Sequence, residues 1–125
     1  MDNIDLVLRN NQLSVENRVR MKISEFQDLN KDLYFKQDLN RGINATFIWL
    51  IEEIGEFAHI LRSKEIDIKK ASEELADIIA WTSSLANLLE IDLEFTLLKK
   101  YPGKCIKCKS KPCICEKELF LQEEK

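Results

Sequence analysis

Glycine and proline are scarce in this chain: three and two among 125 residues. A β-sandwich or barrel needs such residues at every turn, so their scarcity argues against a turn-rich β fold and for long, uninterrupted helices. Positive charge is not in excess either. The net charge of −3 gives no overall pull toward nucleic acid or a membrane surface. No apolar run approaches the ~20 residues needed to span a bilayer. The opening MDNIDLVLRNN carries acidic residues and no long apolar core, unlike a secretory signal, so a cytoplasmic location is the default expectation. What remains is ordinary for a globular chain: 45% hydrophobic residues, with charged residues at 33%, above the usual ~25%. The length suits one domain with a modest core.

The hydrophobic pattern predicts four helices and a cysteine-rich tail. Ser14 is a candidate cap for a first helix over 15–36, whose apolar residues Val15, Val19, Ile23, Phe26, Leu29 and Leu33 step by three and four. The polar stretch Gln37–Gly42 reads as a connection. A second helix is expected over about 44–62. After a short turn, Asp67 caps a third helix over about 68–90. Asp92 caps a short fourth helix, which Tyr101-Pro102-Gly103 stops. A last short helix is expected over 116–122.

Two acidic motifs stand on helices two and three: Glu52-Glu53-Ile54-Gly55-Glu56 and Glu73-Glu74-Leu75-Ala76-Asp77. Residues three apart share a helix face, so Glu53 converges with Glu56, and Glu74 with Asp77. Their stripes are continued by Trp49 and Ile60 on one helix and by Trp81, Leu85 and Leu88 on the other. The acids are therefore not on an open polar face. Beside them run apolar faces of Phe47, Leu50, Ile54, Phe57 and Leu61, and of Ala71, Leu75, Ile78 and Ala86. In an antiparallel hairpin, residues equally far from the turn meet at one level. Glu53 and Asp77 are equidistant from residue 65, as are Glu56 and Glu74, and Trp49 and Trp81. Four carboxylates at one level repel strongly, at about 4 kcal/mol per close pair for an effective dielectric near 20. A hard divalent cation removes that conflict, and an all-oxygen ligand set suits Mg²⁺, or Mn²⁺ in its place. The bland alternative is two solvated acidic patches.

The segment Trp49-Leu-Ile-Glu-Glu-Ile-Gly-Glu-Phe57, followed by Glu74-Leu-Ala-Asp77, resembles the MazG-like all-α nucleotide pyrophosphohydrolases, whose signature is ExxE, a spacer, then ExxD. The resemblance spans roughly residues 15–101. It implies a four-helix arrangement with a central antiparallel hairpin, and cleavage of a nucleoside triphosphate between its α and β phosphates to a monophosphate and pyrophosphate. It implies Glu53, Glu56, Glu74 and Asp77 as Mg²⁺ ligands, with Glu52 or Glu53 helping to activate the attacking water. It also implies a homodimer or homotetramer. Asn87 and Lys100 fall near where such proteins place polar contacts to the nucleotide, although Asn87 points away from the acidic stripe by angular position. Arg41 is placed to reach a phosphate or is an exposed residue near a turn. Trp49 and Trp81 either stack on a base or pack in the core. His59, the single histidine, lies off both stripes and is expected in solvent.

All four cysteines lie in Cys105-x-x-Cys108-x-x-x-x-Cys113-x-Cys115. In a reducing compartment such clustering favours a metal over disulfides, and four thiolates suit tetrahedral Zn²⁺. Lys99, Lys100, Lys104, Lys107, Lys109 and Lys111 surround them without an acid between, offsetting the site's negative charge. The expected organisation is a helical catalytic domain over 1–101 and a Cys-rich tail over 102–125. Two other readings stand beside the pyrophosphohydrolase. One is a phosphoribosyl-ATP pyrophosphatase or dUTP-hydrolysing relative. The other is a non-enzymatic helical module whose zinc knuckle binds nucleic acid or a protein.

Overall fold

The computed structural model describes residues 20–116. Within them lie four α-helices: α1 Ile23–Arg41, α2 Ile43–Leu61, α3 Ile68–Leu88 and α4 Leu93–Lys100, with no strand among the described residues. α3 is the hub: α2 packs along it as an antiparallel hairpin partner, α1 crosses it on another side, and α4 folds back onto α1. The Ser14 cap, the helical start at 15–19 and the helix expected over 116–122 fall outside the described residues, apart from Glu116, which is not helical.

Cap chemistry sets most boundaries. Asp67 Oδ1 accepts the Lys70 amide at 3.1 Å and starts α3. Asp92 Oδ1 accepts the Phe95 amide at 3.0 Å and starts α4. At the head of α1, Glu25 accepts the Lys22 amide at 3.3 Å, half of a capping box.

The first helix differs from expectation at both ends. Residues 20–22 are not helical, and the helix continues through 37–41, which the sequence reading took as a connection. Gly42 alone forms the corner between α1 and α2. Its φ of +84° lies in the region that side chains with a Cβ rarely enter. The Gly42 amide closes α1 on Asp38 O at 2.9 Å, while its carbonyl accepts the Thr46 amide at 3.1 Å and hydroxyl at 2.7 Å, opening α2.

The buried face of α1 is also not the apolar one. Gln27, Asn30 and Asp38 are buried, whereas Ile23, Leu29 and Leu33 are exposed. The amides explain this. Gln27 Nε2 donates to Asn87 Oδ1 (3.0 Å) and Ile91 O (2.6 Å), and its Oε1 accepts the Leu93 amide (3.0 Å). Asn87 Nδ2 answers with a bond to Gln27 O at 3.2 Å. Asn30 Nδ2 donates to Ala80 O (3.0 Å) and Ser84 Oγ (3.1 Å). Polar side chains that satisfy backbone carbonyls bury without the usual penalty. Among the described residues, Ala71 and Ala86 are the fully buried apolar residues, and Phe47, Ile51, Ile54 and Leu61 of α2 remain exposed. No helix among the described residues is long and apolar enough to cross a membrane.

Candidate active site and cysteine cluster

The α2–α3 hairpin brings Glu53, Glu74 and Asp77 together, with one carboxylate oxygen of each within 4.8 Å of the others. Glu53 and Glu74 are half-buried, and each has an Oε2 atom that is buried without a hydrogen-bond partner. The Glu53 carboxyl is pushed above the ordinary carboxylate value. Its hydrogen bond with Glu74 is the main cause, followed by burial and the charges of Glu74 and Asp77; the Trp81 indole N–H works the other way. Like charges gathered in one site without a counter-ion raise one another's affinity for a proton.

A divalent cation fits this group. Two orphaned buried oxygens lack a positive partner, and every donor is a hard oxygen. Opposite ligands of Mg²⁺ stand ~4.2 Å apart, so small side-chain shifts would bring all three acids into one shell. Glu56, one turn further along α2, is exposed and stands outside the three-carboxylate group; Glu52 and His59 are also exposed.

Trp49 and Trp81 stack on each other, with centroids 6.0 Å apart and planes 10° from parallel, at the level the hairpin register implies. Arg41 lies over the Trp81 ring, 4.7 Å from its centroid, and donates from Nη1 to Asp38 Oδ1 at 2.8 Å. Asn87 is buried in the Gln27 network on the α1 side of α3 and not at the acidic cluster. Lys100 is exposed, its ammonium 5.8 Å from the Tyr101 ring. Asp38 escaped the sequence reading altogether. Its one signal was the i, i+3 pairing with Arg41 immediately before Gly42.

The four cysteine sulfurs also converge, all within 4.8 Å. Cys105–Cys115, Cys108–Cys113 and Cys113–Cys105 separations are 3.7, 3.9 and 3.5 Å. A tetrahedron of sulfurs around a metal at ~2.3 Å has edges of ~3.8 Å. Backbone amides of Ile114 and Cys115 point at Cys108 Sγ (3.5 Å) and Cys113 Sγ (3.4 Å). The Ile114 and Ser110 amides pull the Cys108 thiol down to about 6. The surrounding sulfurs, Cys113 first, push Cys115 up to about 12. The donor set and the spacing fit a soft or borderline metal in tetrahedral coordination.

An all-helical domain centred on a carboxylate group between two antiparallel helices is thus in place, with a cysteine knuckle appended. The MazG nucleotide pyrophosphohydrolase domain family matches residues 41–111, more than half of the chain, and the chain belongs to that family. The match begins at Arg41 and takes in Cys105 and Cys108. No curated protein matches the chain.

Proposed function

We propose that this protein is a nucleoside triphosphate pyrophosphohydrolase. Water attacks the α-phosphorus, the bond to the β-phosphate oxygen breaks, and a monophosphate and pyrophosphate leave. The single observation that carries this reading is the pair of buried, unpartnered oxygens on Glu53 of α2 and Glu74 of α3, grouped with Asp77 in a MazG-family domain. In this reading Glu53, Glu74 and Asp77 hold Mg²⁺, and Glu56 completes the ligand set by turning in from solvent. When bound, the cation supplies charge for the phosphoryl oxygens and acidifies water. The protein's own part is positioning. Arg41, over the Trp81 ring, stands to meet a phosphate, and Glu53, drawn in among the acids, is placed to take a proton from the attacking water. The exposed position of Glu52 makes Glu53 the better of the two candidates for that role.

A panel of NTPs and dNTPs incubated with Mg²⁺ and scored for pyrophosphate tests the reading. Release from several triphosphates is expected. Strict choice of dUTP or phosphoribosyl-ATP would move the protein to a specialised relative. Silence on every triphosphate, with RNA or DNA retained, would replace the enzyme by a binding module.

Two further assignments belong to the same reading. Zn²⁺ in the cysteine knuckle is supported by the tetrahedral sulfur spacing, and a thiolate zinc site is compatible with the cytoplasmic location expected from the sequence. A second copy of the chain covers the exposed α2 face of Phe47, Ile51, Ile54 and Leu61, since apolar surface gains about 25 cal/mol per Å² on burial. Light scattering at micromolar concentration checks this, and a monomer there overturns it.

A further inference from the structure

α1 and α3 do not close on each other completely. A cavity of about 450 Å³ lies between them, with Asn30, Asp38 and Arg41 on one wall and Asp77, Trp81 and Ser84 on the other. Such a volume suits a small-molecule site. Asp77 also belongs to the three-carboxylate group, so cavity and cluster share a wall.

Asp38 marks this cavity as more than a packing gap. The residue is 1% exposed. Its Oδ1 accepts from Arg41, but its Oδ2 is buried with no hydrogen-bond partner. A buried carboxylate oxygen lacking a donor is strongly unfavourable, and a donor brought by a ligand would remove the cost. Tyr34 and Gln37 also line the cavity and carry donors, yet neither bonds Oδ2, and Asn30 spends its amide protons on Ala80 O and Ser84 Oγ. Beside Asp38 stands a flat surface, the Trp81 ring with the Arg41 guanidinium over it. An aromatic wall next to an unanswered acceptor suits a heteroaromatic ring that carries N–H groups.

We propose that this cavity receives the nucleobase, and that Asp38 Oδ2 accepts a hydrogen bond from it, selecting the amino-bearing bases cytosine, adenine and guanine against uracil and thymine. The N3–H of uracil and thymine sits between two carbonyl oxygens, both of which a carboxylate repels. An amino group carries no such pair of flanks. Asp38 is a specificity-determining residue in this assignment and touches no reacting atom. The assignment rests on the nucleotide pyrophosphohydrolase reading for the identity of the ligand.

Binding tests it without turnover. The full-length protein is titrated with CMP, AMP, GMP, UMP, dCMP and dTMP while the fluorescence of Trp49 and Trp81 is followed. Hydrogen bonds to a charged group support a preference of roughly 10-fold or more for the amino-bearing monophosphates. Asp38→Asn should bring UMP and dTMP to within about 2-fold of the others, because an amide can also donate to a carbonyl. Equal affinity for all six in the wild type overturns the assignment. So does a ranking that follows ribose against deoxyribose, which would point to sugar hydroxyls as the donors. An unchanged preference in folded Asp38→Asn overturns it as well. If that variant does not fold, the wild-type ranking decides alone. A protein that releases no pyrophosphate but ranks the monophosphates this way loses the proposed reaction and keeps the base site.

Discussion

The molecule gathers like-charged ligands in two places and holds them by opposite means. Glu53, Glu74 and Asp77 project from two long helices whose backbone hydrogen bonds are complete without them. Cys105, Cys108, Cys113 and Cys115 sit in eleven residues with no helix, where two backbone bonds, Cys105 N to Ser110 O (3.0 Å) and Lys109 N to Cys105 O (2.8 Å), close the turn. The first cluster is built by the fold, and the crowding of its acids raises the proton affinity of Glu53. The second has almost no apolar burial of its own, with Ile106 and Ile114 exposed. Its geometry therefore depends on what the sulfurs bind. Hard oxygens on a rigid frame suit a cation that comes and goes with a phosphorylated substrate; soft sulfurs on a loop suit a resident one.

The sharpest way to break this comparison is to remove one ligand from each side. Glu53→Gln and Asp77→Asn should each lower pyrophosphate release by ~100-fold or more, since even outer partners of a metal site are worth ~10–100-fold. Helicity by circular dichroism should stay as in the wild type. Wild-type rates in either variant would remove these residues from the site. Cys108→Ser should do the reverse. Elemental analysis should fall from about one zinc per chain to a small fraction of that, because a structural zinc site contributes about 10–16 kcal/mol only with its full ligand set. Amide exchange across residues 101–116 should lose protection while α2 and α3 keep theirs. Wild-type protein free of zinc would end the claim for the tail.

The α2–α3 half of the site was readable because its determinants are local. Helical spacing and the cap residue Asp67 fix which residues meet, so the Trp49–Trp81 stack and the Glu53–Glu74–Asp77 group follow from periodicity and a turn. Glu56 shows the limit: spacing assigns a face but not a rotamer, and its side chain stands in solvent. The α1 side was not readable. Its stepwise apolar residues Ile23, Leu29 and Leu33 suggested an apolar contact, yet Gln27 and Asn30 make the contact, donating to the carbonyls of Ile91 and Ala80. Nothing in a linear pattern reveals a carbonyl on another element. Asp38 was hidden for a related reason. It lies in a polar stretch before a glycine, which resembles a loop until Gly42 proves to be a corner between two helices.

Asn87 separates packing from binding with a smaller effect. Its amide bonds Gln27 on both sides of the α1–α3 contact. Asn87→Ala removes both of these buried bonds, the one accepted from Gln27 Nε2 and the one donated to Gln27 O, a loss of about 1–3 kcal/mol. Thermal melting should fall by several degrees, at ~4–8 °C per kcal/mol for a small domain, while KM for the best triphosphate stays within ~2-fold. A large rise in KM with an unchanged melting point would return Asn87 to the nucleotide.

The smallest effect is a pH trend in the carboxylate cluster, and its sign is distinctive. Glu53 holds its proton more tightly in the folded chain than an unfolded glutamate does, through its bond to Glu74 and its burial. Over the window from the ordinary glutamate value up to the raised one, the folded state therefore binds more protons than the unfolded state. Stability from this group is full below that window and is lost as pH rises through it. Glu53→Gln carries a permanent amide in place of the protonated acid. In protein dialysed free of magnesium, the variant should melt higher than the wild type near pH 7, and the gap should close as pH falls toward 4.5. Magnesium should reverse the order at neutral pH, since the cation replaces the proton in the wild type and finds one ligand fewer in the variant. A gap that stays constant with pH would mean that Glu53 binds its proton no more tightly in the folded chain than in the unfolded one, and would remove the raised affinity.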